Sequence, residues 1–308
     1  MKNKLRHEPV LVDEVISYLK PQKNKLYFDG TFGQGGYSKK ILKEYDCKIF
    51  AIDRDPESLK YANELKSKYL KSFEFEVEKL SNFKNCIHKK EIKFFDGIML
   101  DLGVSNTQLN NPVRGFSFSN DGPLDMRMDN NSDKLTAEKI INEFSENKLS
   151  DIFYYFGEEK NSRKISKLII NYREKSRISS TVTLSKIIEE INFQKKIHPA
   201  TRVFQALRIF VNSELEELEN FLNQCISHLN KNSRIVIVTF HSLEDRIVKY
   251  FFKSHSSGNP NNYKHYPEKK VSKKELKIIT KKTIRPSLKE IDDNPRSRSA
   301  KLRVAEKL

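Results

Sequence analysis

The residues best placed to do chemistry lie in D-G-T-F-G-Q-G-G, residues 29–36, and in an acid that follows, Asp53. Gly33, Gly35 and Gly36 let the chain turn tightly and let a ligand approach the backbone without interference from a Cβ atom. Asp53 closes the next apolar run, 18 residues after Gly35. A doubly wound fold places a carboxylate at about that separation to hold ribose hydroxyls. A second acid, Asp101, ends the apolar run F-F-D-G-I-M-L-D-L-G (94–103). Open α/β sheets bind ligands at the carboxyl ends of their strands, so Asp101 is expected on the same edge. These residues point to a nucleoside-bearing cofactor. The competing reading is an ordinary glycine-rich turn, with Asp101 capping the turn after its strand.

The spacing narrows the cofactor. A dinucleotide fingerprint would continue as G-x-G-x-x-G, but Ser38 stands where the third glycine belongs, and the G-K-[ST] of a phosphate-binding loop is absent. The pattern D-x-x-x-G-x-G (Asp29, Gly33, Gly35) resembles the first motif of the class I S-adenosylmethionine methyltransferases, whose cofactor has no phosphate. Amino-directed members of that class carry an acid or amide at the position of Asp101, commonly within [DNS]-P-P-[YF]; this chain reads D-L-G-V-S there. An exocyclic amine on a base is a poor nucleophile because its lone pair is delocalised. A carboxylate accepting its N–H would orient it and offset the developing positive charge. A C5-cytosine methyltransferase would instead need a cysteine nucleophile. None of Cys47, Cys86 and Cys225 sits at a suitable strand end, and no zinc spacing supports deamination or a metal site.

Elements must hold these groups in place. K-L-Y-F-D-G (25–30), C-K-I-F-A-I-D-R-D (47–55), F-E-F-E-V-E (73–78) and residues 94–103 read as strands. Y-S-K-K-I-L-K-E-Y reads as a helix. So does 56–70, with Pro56 at its start and a stripe of Leu59, Ala62, Leu65 and Tyr69. The alternation predicts a parallel α/β sheet. Residues 104–135, rich in Asn, Asp, Gly, Ser and Pro, read as a long functional loop. Residues 136–195 read as helices only. One starts at Thr136, one covers K-N-S-R-K-I-S-K-L-I-I-N-Y-R-E-K-S, and one covers T-V-T-L-S-K-I-I-E-E-I-N with Thr181 or Thr183 as its cap. Beyond these, 200–229 is expected as one long helix, 234–240 as a strand, and H-S-L-E-D-R-I-V-K-Y-F-F-K as a helix. E-L-K-I-I-T-K-K-T-I and A-K-L-R-V-A-E-K-L are expected to pair as closing antiparallel strands, and 254–270 to form a mobile loop.

Composition bounds the rest. The chain has 308 residues, 37% of them hydrophobic, enough for a sizeable core and against disorder. No apolar run approaches the ~18–20 residues that span a bilayer, and the charged N-terminal stretch has no signal-like apolar region. An odd set of three scattered cysteines fits a reducing compartment, so a cytoplasmic location is expected. The net charge of +16 points to a polyanion, nucleic acid before an anionic membrane. Residues 269–285 carry eight Lys/Arg against one acid, 163–177 carry six against one, and 295–303 carry four against none. Such stretches suit a phosphate backbone; the plainer reading is a solvated face. Phe116, Phe118 and Phe240 are candidates both for a wall around an unstacked base and for the core.

Longer motifs then carry a resemblance over essentially the whole chain. They include H-E-P-V-L-V-D-E-V (7–15), F-D-G-T-F-G-Q-G-G-Y-S (28–38), D-G-I-M-L-D-L-G-V-S-N-T-Q-L (96–109) and R-G-F-S-F-S-N-D-G-P-L-D-M-R-M-D (114–129). H-P-A-T-R-V-F-Q-A-L-R-I-F-V-N-S-E-L-E-E-L-E (198–219), T-F-H-S-L-E-D-R-I-V-K (239–249) and N-P-R-S-R-S-A-K-L-R-V-A-E (294–306) continue it. The chain closely resembles the RsmH/MraW family of bacterial 16S ribosomal RNA cytosine-N4 methyltransferases. The resemblance implies a Rossmann-like class I methyltransferase domain over 1–103 and 199–308, interrupted by a helical substrate-recognition domain over 104–198. It implies S-adenosyl-L-methionine as cofactor and a cytosine in the decoding region, near the P site of the small ribosomal subunit, as target. No DNA substrate is implied, and a homodimer is left open.

By the same resemblance, Gly35, Gly36 and Tyr37 would contact the cofactor, Asp53 would hold its ribose, Asp101 and Gln108 would lie beside its methionine and adenine parts, and Leu80 would add an apolar contact. The family usually has His at the position of Tyr37 and an aromatic at that of Leu80. Asp125, Arg127 and Asp129 read either as a lid or hinge near the target base or as a structural loop network. His241 and Glu244 either cap the following helix or touch the flipped base. Two other classes remain beside the methyltransferase: a non-catalytic RNA-binding assembly factor that kept the fold, and an NAD-dependent oxidoreductase.

Overall fold

A computed structural model describes residues 9–129, 135–191, 197–257 and 274–308. His7 and Glu8 of the first family motif, residues 258–270 of the expected mobile loop, and the basic residues up to Lys273 lie outside the described residues. The chain divides into two compact units, Met1–Gly103 with Leu215–Leu308, and Val104–Glu214.

The first unit is built on a seven-stranded sheet of order β3-β2-β1-β4-β5-β7-β6. The strands are β1 (Leu26–Asp29), β2 (Lys48–Asp53), β3 (Phe73–Val77), β4 (Phe95–Asp101), β5 (Leu229–Thr239), β6 (Leu276–Ile278) and β7 (Lys301–Lys307). All pairings are parallel except those of β7, which runs against both of its neighbours. The strand order reverses between β1 and β4, where a doubly wound sheet opens a crevice at its carboxyl edge.

Alternation along the strands loads both faces. Tyr27, Ile49 and Ala51 join one buried cluster with Val15 and Ile16 of α1 (Val12–Leu19), Ile41 of α2 (Gly36–Glu44) and Leu65 of α3 (Leu59–Lys68). Phe28, Phe50 and Ile52 face the other way. They meet Phe83 of α4 (Phe83–Lys89), Phe221 of α11 (Glu214–Cys225) and Val248 of α12 (Ser242–Ser257). Period-2 side-chain alternation therefore makes these strands the middle layer of three. A short helix, α13 (Leu288–Asp293), completes this unit.

The second unit holds α5 (Asn106–Asn110), α6 (Ala137–Glu143), α7 (Glu146–Gly157), α8 (Ser162–Arg173), α9 (Thr181–Glu189) and α10 (Thr201–Asn212). Ile140, Phe153, Ile165, Ile187 and Leu207 are fully or almost fully buried in its own core. Thr136 caps α6 by accepting from Lys139 N at 3.2 Å.

Several expectations need correcting. The single helix over 200–229 is two, because Ser213 takes a left-handed conformation (φ 49°) that ends α10 and starts α11. The second junction between units falls at 214/215 rather than 198/199. The reason is packing: Gln205 and Arg202 of α10 bond the carbonyls of Phe156 and Glu158, and a Cβ on Gly157 would lie 2.5 Å from Arg202 O. Helix α9 is capped by Ser180, one residue before the expected threonines. Strand β5 starts at Leu229, Leu59 is 45% exposed rather than core-facing, and the short helices α4, α5 and α13 went unread.

Candidate active site at the carboxyl edge

Three acids close adjacent strands at this edge: Asp29 on β1, Asp53 on β2 and Asp101 on β4. Register places Asp29 beside Ala51 and Met99, next to the reversal point. The glycine turn lies between β1 and α2, with Gly33 (φ 54°) and Gly35 (φ 74°) in the left-handed region that glycine occupies without strain. A Cβ on Gly35 would also sit 2.5 Å from the Phe32 ring. Gly36 serves a different purpose. Pro9 packs where its Cβ would be, at 2.2 Å, so the N-terminal segment crosses the turn at that point.

Asp53 clamps this turn. Its Oδ2 accepts from Gly33 N at 2.6 Å and its Oδ1 from Asp55 N at 2.8 Å. An ionised carboxylate has about four acceptor positions, so two remain for a ligand. Burial pushes its pKa up to about 6, while the Asp55 and Gly33 amides pull the other way.

Asp29 went unread as a functional residue, although it opens the recognised motif. It is 1% exposed. Its Oδ2 accepts from Ser38 Oγ at 2.6 Å, which explains why serine replaces the third glycine of the dinucleotide pattern. Thr31 N donates to its other oxygen at 3.3 Å. Burial raises its pKa to about 7 against those two hydrogen bonds, with the Asp53 charge adding to the rise.

Asp101 is the most perturbed of the three. Burial first, then the neighbouring charge of Asp29, push it up to about 8; Tyr37 lowers it and Glu244 raises it further. Its amide donates to Thr31 Oγ1 at 2.6 Å. Its Oδ1 is buried and has no hydrogen-bond partner among the described residues. Tyr37 is buried beneath the turn, with its hydroxyl donating to Val10 O at 2.5 Å.

The other candidates have more local roles. Leu80 is partly buried at a 3-10 turn, with its Cδ2 2.8 Å from where a Cβ on Gly30 would lie. His241 and Glu244 cap α12. Glu244 Oε2 accepts from Phe240 N at 2.9 Å and from His241 N at 3.4 Å, while His241 Nδ1 accepts from Glu244 N at 3.4 Å. The His241 Nε2 lies 3.0 Å from Glu244 Oε1, within ion-pair distance but without hydrogen-bond geometry.

Within the helical unit, Gln108 completes a capping box with Ser105 at the start of α5. Asp125 receives a fork from Arg127, Nε at 2.9 Å and Nη2 at 2.7 Å. The backbone around this pair is pinned by buried groups: Arg114 donates to Met128 O and Asn212 donates to Met126 O. Phe118 stacks on His198 at 4.5 Å, and Phe116 is in the helical core.

A three-layer sheet of this strand order, with a glycine turn after β1 and acids closing β1, β2 and β4, is a Rossmann-like α/β fold of the class I methyltransferase type. The chain belongs to the MraW methylase family, whose model matches residues 4–308. It is 50% identical over 306 residues to the Rickettsia bellii (strain OSU 85-389) protein named ribosomal RNA small subunit methyltransferase H, covering 98% of this chain and 99% of that one. A protein of the same name from Wolbachia sp. subsp. Drosophila simulans is 44% identical over 306 residues, covering 99% and 100%. Among solved structures, an rRNA methylase from Streptococcus thermophilus aligns over 96% of this chain and 93% of its own, at 9% identity and a TM-score of 0.41.

Proposed function

We propose that this protein transfers a methyl group from S-adenosyl-L-methionine to the exocyclic N4 amine of a cytosine in 16S ribosomal RNA, in the decoding (P-site) region of the small subunit, in the cytoplasm. One observation carries the reading. Asp29 and Asp101 are buried at the switch point, their pKa values are raised, and neither forms an ion pair among the described residues. Such a pocket favours a cationic cofactor and an N–H donor. It disfavours a pyrophosphate, which would face the same acids, so an NAD-linked reaction fits poorly.

The residues fit the cofactor as follows. Gly33, Gly35, Gly36 and Tyr37 shape the wall of the turn, Asp53 offers its remaining acceptor positions to ribose hydroxyls, and Leu80 supplies an apolar contact. We also assign Gln108 to the cofactor side. When bound, S-adenosyl-L-methionine supplies an electrophilic methyl group on a sulfonium. Asp101 does the rest of the chemistry: its unpartnered Oδ1 accepts an N–H of the target amine, localises the nitrogen lone pair, and takes the proton as the N–C bond forms. No cysteine is placed to attack a base, since Cys47, Cys86 and Cys225 are all buried with pKa values raised by burial.

The RNA side of the proposal rests on charge. Lys160, Lys164, Lys167 and Lys175 are exposed on or beside α8 at near-helical spacing, and none pairs with a carboxylate among the described residues. Uncompensated cations in a row suit a phosphate backbone. We therefore assign substrate recognition to the helical unit, with the Asp125–Arg127 pair and, from the other unit, His241 as further contacts.

Mass mapping of 16S rRNA nucleosides from cells with and without the protein tests the reading. N4-methylcytidine should appear at one decoding-region position only when the protein is present. A mark at C5 or on ribose, or none, would refute it. Calorimetry should show binding of S-adenosyl-L-methionine and its demethylated product but not of NAD.

A further inference from the structure

The proposed reaction, on which this inference rests, delivers a proton to a carboxyl that is wholly buried. The surroundings of Asp101 are acidic: Asp29 and Glu244 face its carboxyl, and Asp29 and Glu290 face Tyr37. Among the groups that set the charge of Asp101, the Tyr37 hydroxyl is the one hydrogen-bond donor, close enough to bond to the carboxyl. The same hydroxyl is 2.5 Å from Val10 O. A phenol has a single proton and can donate it once.

The acceptors are held still on either side. Thr31 Oγ1 fixes the Asp101 amide at 2.6 Å. Val10 is anchored by its neighbours: Pro9 lies in the gap left by Gly36, and Leu11, at φ 54°, donates its amide to Glu290 Oε1 at 2.7 Å. The hydroxyl therefore has two fixed partners and a choice between them. An ionised carboxylate is the stronger acceptor, and a protonated carboxyl is the weaker. Donation to Val10, as seen here, is the arrangement that matches a neutral Asp101.

We propose that Tyr37 is a positioning residue that swings its one proton between Asp101 and the Val10 carbonyl, so that the buried carboxyl can take a proton from the target amine without losing its orientation. Before transfer, Tyr37 donates to the Asp101 oxygen away from the substrate, and Oδ1 accepts the amine N–H. During transfer the N–C bond forms and the S–C bond breaks, its electron pair staying on sulfur. The amine proton moves to Oδ1. Tyr37 then turns its proton to Val10, and Asp101 later returns its own proton to solvent.

The test uses the full chain carrying Tyr37→Phe or Tyr37→His, with Asp101→Asn as reference. Difference infrared spectroscopy follows the protonated-carboxyl band that Asp101→Asn abolishes. In Tyr37→Phe the midpoint of this band should rise by about one pH unit, the scale of one hydrogen bond to a charged group. The ascending limb of kcat against pH should move with it. Affinity for S-adenosyl-L-methionine should change by less than about threefold, well below the loss of a charged hydrogen bond. Tyr37→His keeps an N–H donor and should bring the midpoint back. An unmoved midpoint with kcat lowered equally at every pH, or a Tyr37→His midpoint that stays high, would overturn the proposal. The infrared midpoint is read without turnover, so it decides the role of Tyr37 even if the methylated atom proves to be another.

Discussion

The α/β unit treats its acids in two opposite ways. At the carboxyl edge, Asp29, Asp53 and Asp101 are buried with pKa values near 7, 6 and 8. On the β7 side, Asp245 of α12 is forked by Arg303 (2.7 and 3.2 Å) and touched by Lys301 at 3.3 Å. Burial opposes its ionisation too, but the two cations outweigh it and leave the pKa below the ordinary value. The contrast separates purposes. Asp245 is satisfied by the fold and ties a helix to a strand. The edge acids lack such compensation and strain the folded state, a cost that persists at sites where function requires it.

The sharpest way to break this comparison is Asp101→Asn. Turnover should fall by roughly 10²–10⁴-fold with the fold intact, the range for a positioned acid–base group. Near-normal methyl transfer would put Asp101 in the same structural category as Asp245. Next in size is Asp245→Ala, which leaves Arg303 and Lys301 unpaired and should cost about 1.5–3 kcal/mol of stability in denaturant titration, with kcat unchanged. Asp53→Ala should weaken S-adenosyl-L-methionine by a similar ~1.5–3 kcal/mol in calorimetry. Because that carboxylate also clamps Gly33 and Asp55, part of the loss should appear as a looser turn in amide exchange.

The pH dependence of stability gives the smallest and most diagnostic effect. A raised carboxyl pKa means that the unfolded chain releases its proton first, so the associated stability is complete below the unfolded value and fades as pH rises through the folded one. For Asp101 that window runs from 3.8 to about 8. Asp245 behaves with the opposite sign, its contribution fading as pH falls through its lowered value. In ligand-free protein, Asp101→Asn should flatten the decline of stability across that window, a decline that one proton limits to about 1.4 kcal/mol for each step of one in pH. Asp245→Asn should flatten only the acid limb. Identical pH profiles for the two variants would erase the distinction.

Much of this was legible in the chain itself. Strands β1 to β4 were readable because four apolar runs alternate with helical stripes and stop at acids or glycines. The helical insertion was readable because no strand-like run interrupts 136–195. The break at Ser213 was not, because the apolar stripe runs past it and a serine forced into the left-handed region leaves no local mark. The helices α4 and α13 were too short for periodicity to show. Within the site, Asp53 and Asp101 announced themselves by position. Asp29 was visible as a motif letter, but its bond to Ser38 depends on one helical turn of α2 folding back over β1.

Residue order alone determined the layered architecture, the glycine turn, the two signature acids and the polyanion-seeking charge, because each follows from spacing or composition that no packing can alter. Tertiary structure decided what those acids are. Only folding strips water from Asp29 and Asp101, sets them at neighbouring strand ends, leaves one oxygen unpartnered and brings the Tyr37 hydroxyl between Val10 and the carboxyl. Proton affinity depends on solvent exposure and on neighbours distant in the chain, and neither quantity exists until the sheet has closed.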